Sequence, residues 1–495
     1  MRNFPVIIQG GMGAGVSSWR LAQSVSKQGQ LGVVSGTALE TIFARRLQDG
    51  DPGGHMRRAV ENFPIPAMAE RVWNGYFVSG GKGDDKPYKP IAMYGKSSSR
   101  ELLETCIVAN FVEVWLARDG HTNPVGINYL EKIQLPHLPS IYGAMLAGVD
   151  YVLMGAGIPI KIPGVLDLFV NHEPATYPLY VSGAEDGDDN LMRFDPREFM
   201  SGEMRPLKRP KFLAIIASNT LAITLLKKSN GRVDGFIIEG PTAGGHNAPP
   251  RGKLQLNAEG EAIYGERDVV DLEKIRAMGV PFWLAGGYGT ADQVQSALDS
   301  GATGVQVGTA FAFCEESGMK EEYKRRLLEK SRQGTARVFT DPVSSPTGFP
   351  FKAAQLEDTN SDKDVYATRT RICDVGHLRE AYRTDAGGVA FRCGSEPVKT
   401  YLAKGGKEEN TVGKKCLCNA LLANIGQAQL RADDSVENGL ITAGDDLVSI
   451  ARFLAPGAST YTAADVLRAL LNEDGASFAL VSNAPDRAGA VISYE

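Results

Sequence analysis

His246 is the residue whose type and sequence context most directly suggest a chemical role. It stands in the segment DGFIIEGPTAGGHNAPPRG, residues 234–252, shortly after an apolar run that ends at Glu239. An isolated loop histidine is usually just polar surface, but paired glycines allow this loop to fold tightly, and imidazole exchanges a proton near neutral pH. We therefore predict that His246 is an acid–base residue.

Two glycine-rich turns further along the chain could bind a phosphate. AGGYG, residues 285–289, and VQVGTAF, residues 305–311, each combine a predicted strand end with the start of a predicted helix. Backbone N–H groups at such turns point towards an anion, and the positive end of the helix dipole favours it. The alternative is that these glycines only form turns. Because two such turns occur, this alternative is less favoured than a phosphate site.

A third glycine-rich stretch and an amide side chain follow two earlier predicted strands. QGGMGAG, residues 9–15, lacks the Cβ atoms that would keep a flat ligand away from the backbone, although a loop that enters a helix explains the glycines equally well. Asn128, which ends the predicted third strand, offers a donor and an acceptor in one side chain. The glycines would allow the face of a planar ligand to lie against the backbone, and Asn128 could form hydrogen bonds with its edge.

These residues need a scaffold that brings strand ends together, and the chain from residue 1 to about 310 predicts one. Short apolar runs alternate there with helical patterns, which is typical of βα units around a parallel sheet. Eight inner strands are predicted: Pro5–Gln9, Leu31–Ser35, Pro124–Asn128, Tyr151–Met154, Phe212–Ala217, Gly235–Glu239, Pro281–Ala285 and Thr303–Val307. This number favours a (β/α)8 TIM barrel over an open sheet, and the active site of such a barrel lies at the carboxyl ends of its strands.

The remaining chain predicts additions to the barrel. We assign residues 1–335 to the barrel, with insertions near 50–120 and 160–210, and residues 336–495 to a C-terminal extension with a cysteine-containing segment and terminal helices. The length of 495 residues accommodates such additions.

Composition narrows the class of protein. A net charge of -5 provides no basic field for nucleic acid, and no apolar stretch reaches the ~18 residues that a membrane span requires. The apolar part of the N-terminus is too short for a signal peptide, and six cysteines in so long a chain are no disulfide scaffold. We therefore expect a reduced, cytoplasmic protein, and the sequence leaves a homo-oligomer open.

Four of the six cysteines fall in the extension, at Cys373, Cys393, Cys416 and Cys418. Four thiols are enough for a zinc ion or an iron–sulfur cluster, but these intervals match no recognised ligand spacing. The sequence therefore favours buried or idle thiols and predicts no metal site, with these four as the weak alternative.

The three glycine-rich segments together resemble a known family. IIQGGMGAGVSSWRLAQSVSKQGQLGVVSG, EGPTAGGHN and AGGYGTADQVQSALDSGATGVQVGTAF are similar, in this order, to segments of the nitronate monooxygenase flavoproteins, also called 2-nitropropane dioxygenase-like. The resemblance covers residues 4 to 315 apart from the insertions. It implies a (β/α)8 barrel that binds FMN without a covalent bond.

The resemblance also implies roles for particular residues. His246 matches the catalytic histidine of the family, the phosphate would bind at Gly287, Gly308 and Thr309, and the ring system would lie over Gly11 and Met12 with Asn128 at its polar edge. The complete predicted cofactor-binding set is Gly11, Met12, Asn128, Gly245, Gly286, Gly287, Gly308 and Thr309.

The resemblance implies an FMN-dependent oxidoreductase that oxidises a small nitronate or nitroalkane with O2. The same family includes flavin-dependent enoyl-thioester reductases of fatty-acid or polyketide synthesis, which act on an acyl thioester with NAD(P)H, and the flavin loops do not separate the two activities. A non-catalytic flavin-binding partner of a synthase is a second alternative. The sequence departs from the family at Pro241-Thr242 and in NAPPRG, residues 247–252, which bears on the substrate more than on the cofactor.

A barrel of the inosine-monophosphate dehydrogenase type has similar phosphate glycines. That type requires a nucleophilic cysteine in the loop after the sixth strand, where this chain has His246 and no cysteine. We discount it for this reason.

Overall fold

Eight parallel strands form one sheet in the computed structural model, which describes residues 4–200, 202 and 204–472. The strands are β1 (Ile7–Gln9), β2 (Gly32–Ser35), β3 (Val125–Leu130), β4 (Tyr151–Gly155), β5 (Lys211–Ile216), β6 (Gly235–Glu239), β7 (Phe282–Ala285) and β8 (Gly304–Val307). Each strand pairs with the next one along the chain from β2 to β8, and β8 pairs with β1.

Backbone hydrogen bonds between β1 and the start of β2 close the sheet. The N–H of Gln9 donates to the carbonyl of Leu31 at 2.9 Å, and the N–H of Leu31 donates to the carbonyl of Ile7 at 3.1 Å. The predicted (β/α)8 barrel is thus confirmed, and the predicted strand bounds differ from the observed ones by at most two residues.

The residue at which β3 ends affects the position of one predicted site residue, Asn128. β3 continues two residues further than predicted, so Asn128 lies inside the strand and pairs with Leu153 of β4. The prediction that the strand ends at Asn128 was wrong, because the apolar pattern continues through Tyr129 and Leu130 and the strand ends only there.

Side chains from most of the barrel strands fill the barrel interior. This inner cluster of buried residues comprises Ile8, Leu31, Val33, Tyr151, Leu153, Leu213, Ile237, Trp283 and Ala285. The indole Nε1 of Trp283 is buried there and donates to the carbonyl of Pro5 at 2.9 Å, which satisfies its only polar group. The interior is therefore a packed core that fixes the positions of the strand ends.

Helices surround the barrel and continue into the additions. The described α-helices are Trp19–Lys27, Leu39–Gln48, His55–Val60, Pro66–Tyr76, Arg100–Arg118, His137–Leu146, Ile162–Val170, Asn219–Lys228, Leu272–Ala277, Ala291–Asp299, Thr309–Ala312, Glu321–Arg332, Lys363–Thr368, Val398–Ala403, Leu417–Ala423 and Ala463–Leu471. None of the helices in the described ranges is long and apolar enough to cross a membrane.

The insertion near residues 160–210 contains an antiparallel pair of strands, Ala175–Pro178 and Leu191–Phe194. A two-residue strand between them, Val181–Ser182, pairs with Glu380–Arg383 of the extension, which in turn pairs with Val389–Arg392. The insertion and the extension are therefore joined by backbone hydrogen bonds, which no local sequence pattern indicates.

The extension lies against the carboxyl ends of the barrel strands. Its strands Val338–Asp341 and Phe351–Ala354 are antiparallel, and the second pairs with the short strand Gly245–His246 from the loop after β6. The terminal helix Ala463–Leu471 buries Val466, Leu467 and Leu470 in the same apolar core as the barrel helices. Part of the barrel's upper face is thus covered by residues from far along the chain.

Candidate active site

A cavity with about 1470 Å³ of empty space, continuous with solvent, lies at the carboxyl ends of the barrel strands. We call it the main cavity. All nine predicted catalytic and cofactor residues line it: Gly11, Met12, Asn128, Gly245, His246, Gly286, Gly287, Gly308 and Thr309. The parallel barrel brings these residues together because it places the ends of all eight strands at one face.

The turn after β7 has a backbone that glycine alone adopts without strain. Gly286 and Gly287 have φ angles of +86° and +81°, and a Cβ on Gly286 would stand 2.9 Å from the hydroxyl oxygen of Thr242. Two successive residues in this conformation form a concave backbone at the wall of the cavity. Such a cradle fits an anion such as a phosphate.

The extension closes over this turn. The N–H of Gly444 donates to the hydroxyl of Thr309 at 2.9 Å, and the N–H of Asp445 donates to the carbonyl of Thr242 at 3.0 Å. Arg452 forms an ion pair with Asp446 and donates to the carbonyl of Gly289 at 2.7 Å. An Arg452–Asp446 ion pair, of which Asp446 lines the cavity, thus lies next to the predicted phosphate turn, and the sequence pattern did not reveal it.

The loop after β1 is held in place by Ser17. Its hydroxyl accepts from the N–H of Met12 at 2.9 Å and donates to the carbonyl of Gly10 at 2.9 Å. Gly11 is required by packing, since a Cβ there would be 2.4 Å from the Cβ of Asn128. Helix Trp19–Lys27 begins after Ser18, so Ser17 supports the loop and does not cap the helix.

Three buried polar atoms in the cavity wall have no hydrogen-bond partner among the described residues. They are Oε1 of Gln306, on β8, and the hydroxyl of Thr442 and Nδ1 of His377, both in the extension. A buried polar group without a partner costs free energy, so these atoms fit a ligand with hydrogen-bonding groups of its own. Gln306 had a signal in the sequence, as a polar residue in the apolar run of β8, whereas Thr442 had none.

His246 lies at the edge of the main cavity. Its Nε2 forms a 2.7 Å hydrogen bond with the hydroxyl of Ser345, which in turn bonds to the hydroxyl of Thr347 at 2.8 Å. The edge-on ring of Phe351 lies 4.9 Å from the imidazole, between ring centres. Burial lowers the pKa of His246 to about 4, so the imidazole is neutral at pH 7.

Glu239 is a second titratable group at the end of β6, and it also lines the main cavity. Burial raises the pKa of its carboxyl to about 7. A carboxyl with this pKa can both give and accept a proton near neutral pH. The sequence marked Glu239 only as the end of a strand, because its burial depends on the loops around it.

A second cavity, which we call the side cavity, adjoins the main one. It has about 950 Å³ of empty space and shares Glu239 and His246 with the main cavity. Arg251 and Tyr264, from the loop that contains NAPPRG, form part of its wall. The segment that departs from the family pattern therefore lines a space beside the predicted catalytic histidine.

Comparison with known proteins identifies the family. The family model "Nitronate monooxygenase" matches residues 204–452, about half of the chain. The nitronate monooxygenase of Pseudomonas aeruginosa is 25% identical over 285 residues, which are 58% of this chain and 73% of that protein. A probable nitronate monooxygenase of Bacillus subtilis is 33% identical over 132 residues, which are 27% of this chain and 36% of that protein.

The fold and the position of the cavity define a (β/α)8 barrel with a candidate active site at the strand ends. The chain belongs to the nitronate monooxygenase family. Among solved structures, FabK from Thermotoga maritima aligns with a TM-score of 0.46 and 16% identity over 95% of this chain and 92% of that one. A nitroalkane oxidase from Streptomyces ansochromogenes aligns with a TM-score of 0.41 and 16% identity over 95% and 96%.

Proposed function

We propose that this enzyme binds FMN in the main cavity and oxidises a small nitronate or nitroalkane with O2. The observation that carries the proposal is the convergence of a glycine cradle, unpartnered polar atoms and His246 on one cavity at the strand ends. Membership of the nitronate monooxygenase family supports the choice of reaction.

The cavity wall fits the parts of FMN. Gly286 and Gly287, which line the cavity with positive φ angles, would receive the phosphate. Gln306 and Asn128 would offer hydrogen bonds to the ring edge. When bound, FMN supplies an acceptor for the substrate's electrons and passes them to O2.

His246 would handle the proton of a neutral nitroalkane. Its Nε2 bonds to Ser345, and its Nδ1 makes no hydrogen bond to the described part of the protein. A neutral imidazole whose Nε2–H donates to Ser345 has its lone pair on Nδ1, and this atom would accept the proton from the substrate carbon. An anionic nitronate has already lost that proton and would need His246 less.

The proposal is tested with the purified chain in anaerobic solution. Release and mass measurement of the bound flavin should give FMN, and mixing with a nitronate should bleach the flavin absorbance, which O2 should then restore. Bleaching by NADPH or NADH, followed by recovery with an enoyl thioester and no response to nitronate, would contradict the proposal. Protein that takes up no flavin would contradict every flavin-dependent function.

An enoyl-thioester reductase is the second candidate, and the side cavity favours it. It opens to solvent beside Glu239 and His246, so an acyl chain could enter it from outside the protein and reach both residues. Arg251 lies in its wall, where it also donates to the carbonyl of Ala217 at 2.8 Å. The same anaerobic experiment separates the two functions, because only the reductase requires NAD(P)H.

A further inference from the structure

Glu239 differs from the other charged side chains of the two cavities. The Asp, Glu and Arg side chains that line the main or the side cavity are Glu239, Arg251, Asp268 and Asp446. Asp446 forms an ion pair with Arg452 at 2.8 Å, and Asp268 accepts hydrogen bonds from the N–H groups of Arg251 and Gly265 at 2.8 and 2.9 Å. Among the described residues, none donates a hydrogen bond to the carboxyl of Glu239 or pairs with its charge. This carboxyl is therefore free to contact a ligand.

The side chain of Glu239 faces the barrel axis at the carboxyl end of β6. Alternate residues of a strand face the same side, and Ile237, two residues earlier, belongs to the inner cluster. Ala285 of β7 pairs with Glu239 and belongs to that cluster as well. Glu239 thus lies in the uppermost layer of inward-facing side chains, which forms the floor of the main cavity.

Glu239 and His246 border the passage between the two cavities. Four residues line both of them, namely Ala156, Ile215, Glu239 and His246. Ala156 has a φ of +55°, and strained backbone of this kind is concentrated at functional sites. A small molecule in this passage would contact both the carboxyl and the imidazole.

The surroundings of Glu239 favour its protonated form. A carboxylate without a hydrogen-bond donor or a cation nearby is costly beside apolar side chains such as Ile215. Accordingly, burial raises the pKa of Glu239 to about 7. A protonated carboxyl has an O–H that donates a hydrogen bond, and no described residue accepts it. The passage therefore combines a donor without a partner with the neutral imidazole of His246.

We propose that Glu239 is a second catalytic residue, which donates a hydrogen bond to the nitro group of a substrate held in this passage. The inference rests on the proposed function. When the C–H bond of a nitroalkane breaks, the proton goes to Nδ1 of His246 and the electron pair moves onto the nitro group. The O–H of Glu239 stabilises the negative charge that forms on the nitro oxygens and keeps its own proton.

The test measures how the flavin-loaded protein binds nitrate, a planar anion that resembles a nitronate. The titration is done without oxygen, and the change in flavin absorbance gives Kd without turnover. For the wild type, Kd should rise ~10-fold or more from pH 6 to pH 8.5, because the carboxylate that forms as the pH passes about 7 repels an anion. His246 stays neutral in this range, and burial raises the pKa of the neighbouring Tyr264 to about 12.

Two variants assign this pH dependence. Glu239→Gln keeps an N–H donor and does not titrate, so its Kd should change less than ~2-fold over the same range. Asp268→Asn is the matched control, because Asp268 also lines the side cavity but is held by two backbone N–H groups, and it should keep the pH dependence of the wild type. His377 also lines the main cavity, 3.0 Å from Glu40. A pH dependence that persists in Glu239→Gln would assign the titration to another group, such as His377, and overturn the proposal.

The role of Glu239 and the proposed function fail in different ways. Flavin that a nitronate does not bleach would contradict the proposed function. Bleaching by nitronate, together with nitrate binding by the wild type that is absent at pH 6 or equal at both pH values, would contradict the role of Glu239 alone.

Glu239→Leu removes the donor itself. At pH 6 it should lower the rate at which a neutral nitroalkane bleaches the flavin by ~100-fold, whereas Glu239→Gln should lose much less. Far-ultraviolet circular dichroism and flavin content show whether each variant has folded. A folded, flavin-loaded Glu239→Leu protein with the wild-type rate would refute the assignment.

Discussion

At the scale of single residues, the site depends on two groups whose pKa values burial has moved in opposite directions. His246 has its pKa lowered to about 4, and Glu239 has its pKa raised to about 7. Both line the same two cavities. Pairs of titratable groups whose pKa values are shifted in opposite directions are typical of acid–base sites, because the surroundings of each group set its protonation state.

His246→Asn should lower kcat for a neutral nitroalkane by ~100-fold or more, because it removes the proton acceptor while it keeps a polar group of similar size. Bound flavin and the rate with a preformed nitronate should change much less. The wild-type pH profile should show no loss of rate near pH 6.5, since the imidazole stays neutral down to about pH 4. His121→Asn is the control, with its imidazole bonded to the carbonyl of Ala117 on the barrel exterior. Equal rates for the two variants would refute the role of His246.

Glu239 gives a stability prediction whose sign follows from its raised pKa. A carboxyl with a folded-state pKa of about 7 stabilises the fold fully below its unfolded pKa near 4.5, and that contribution is lost as the pH rises towards and through 7. Glu239→Gln should therefore be more stable than wild type by ~2 kcal/mol at pH 8, with a smaller difference at pH 5. Urea unfolding of flavin-free protein at the two pH values measures this. A stability difference between Glu239→Gln and wild type that is the same at both pH values would contradict the raised pKa of the Glu239 carboxyl.

At the scale of elements, the turn after β7 shows how local backbone and ligand contact combine. Gly286→Ala should weaken FMN binding at least tenfold, since the new Cβ would stand 2.9 Å from the hydroxyl of Thr242 and the residue has a φ of +86°. Gly279→Ala is the matched control, because its φ is +73° but its Cβ would meet open space. Both should lose ~1–2 kcal/mol of stability, and only the first should lose flavin in a fluorescence titration. Equal affinity in both variants would argue against a phosphate at this turn.

Ser345 connects the extension to the catalytic loop, and we assign it as a positioning residue. Its hydroxyl holds Nε2 of His246 at 2.7 Å, so Ser345→Ala should lower kcat for a nitroalkane several-fold and leave KM and flavin content nearly unchanged. Ser345→Thr, which keeps the hydroxyl, should recover part of the loss. An alanine variant with full kcat would show that the hydrogen bond does not orient the imidazole.

At the scale of the whole molecule, the shared core leads us to propose that barrel and extension unfold together. Leu467, in the helix Ala463–Leu471, is buried in that core. All four tryptophans lie in the barrel part, residues 1–335, so their fluorescence reports on the barrel. Leu467→Ala should therefore lower the free energy of unfolding by ~2–5 kcal/mol. This loss should appear as a lower urea concentration at the midpoint of the unfolding transition that tryptophan fluorescence reports. Val448→Ala, at a half-exposed position of the extension, is the control. An unchanged tryptophan transition in Leu467→Ala would show that the extension unfolds separately.

Much of this architecture followed from local sequence signals. The eight barrel strands lie where short-range patterns predicted them. Such features depend on neighbouring residues, so a single sequence reveals them. In the extension, where helices were predicted, residues Asp445 to Phe453 form a 3₁₀-helix, and the apolar pattern does not distinguish this from an α-helix.

The sequence by itself determined the barrel, the glycine turns and the loop position of His246. Each of these depends on residues within one strand and the loop that follows it. Only the tertiary structure decided that Ser345 and Thr442 approach the cavity, and that the surroundings of Glu239 raise the pKa of its carboxyl. The physical reason is that burial and long-range contact arise when separate segments pack together, and composition or spacing along the chain does not specify that packing.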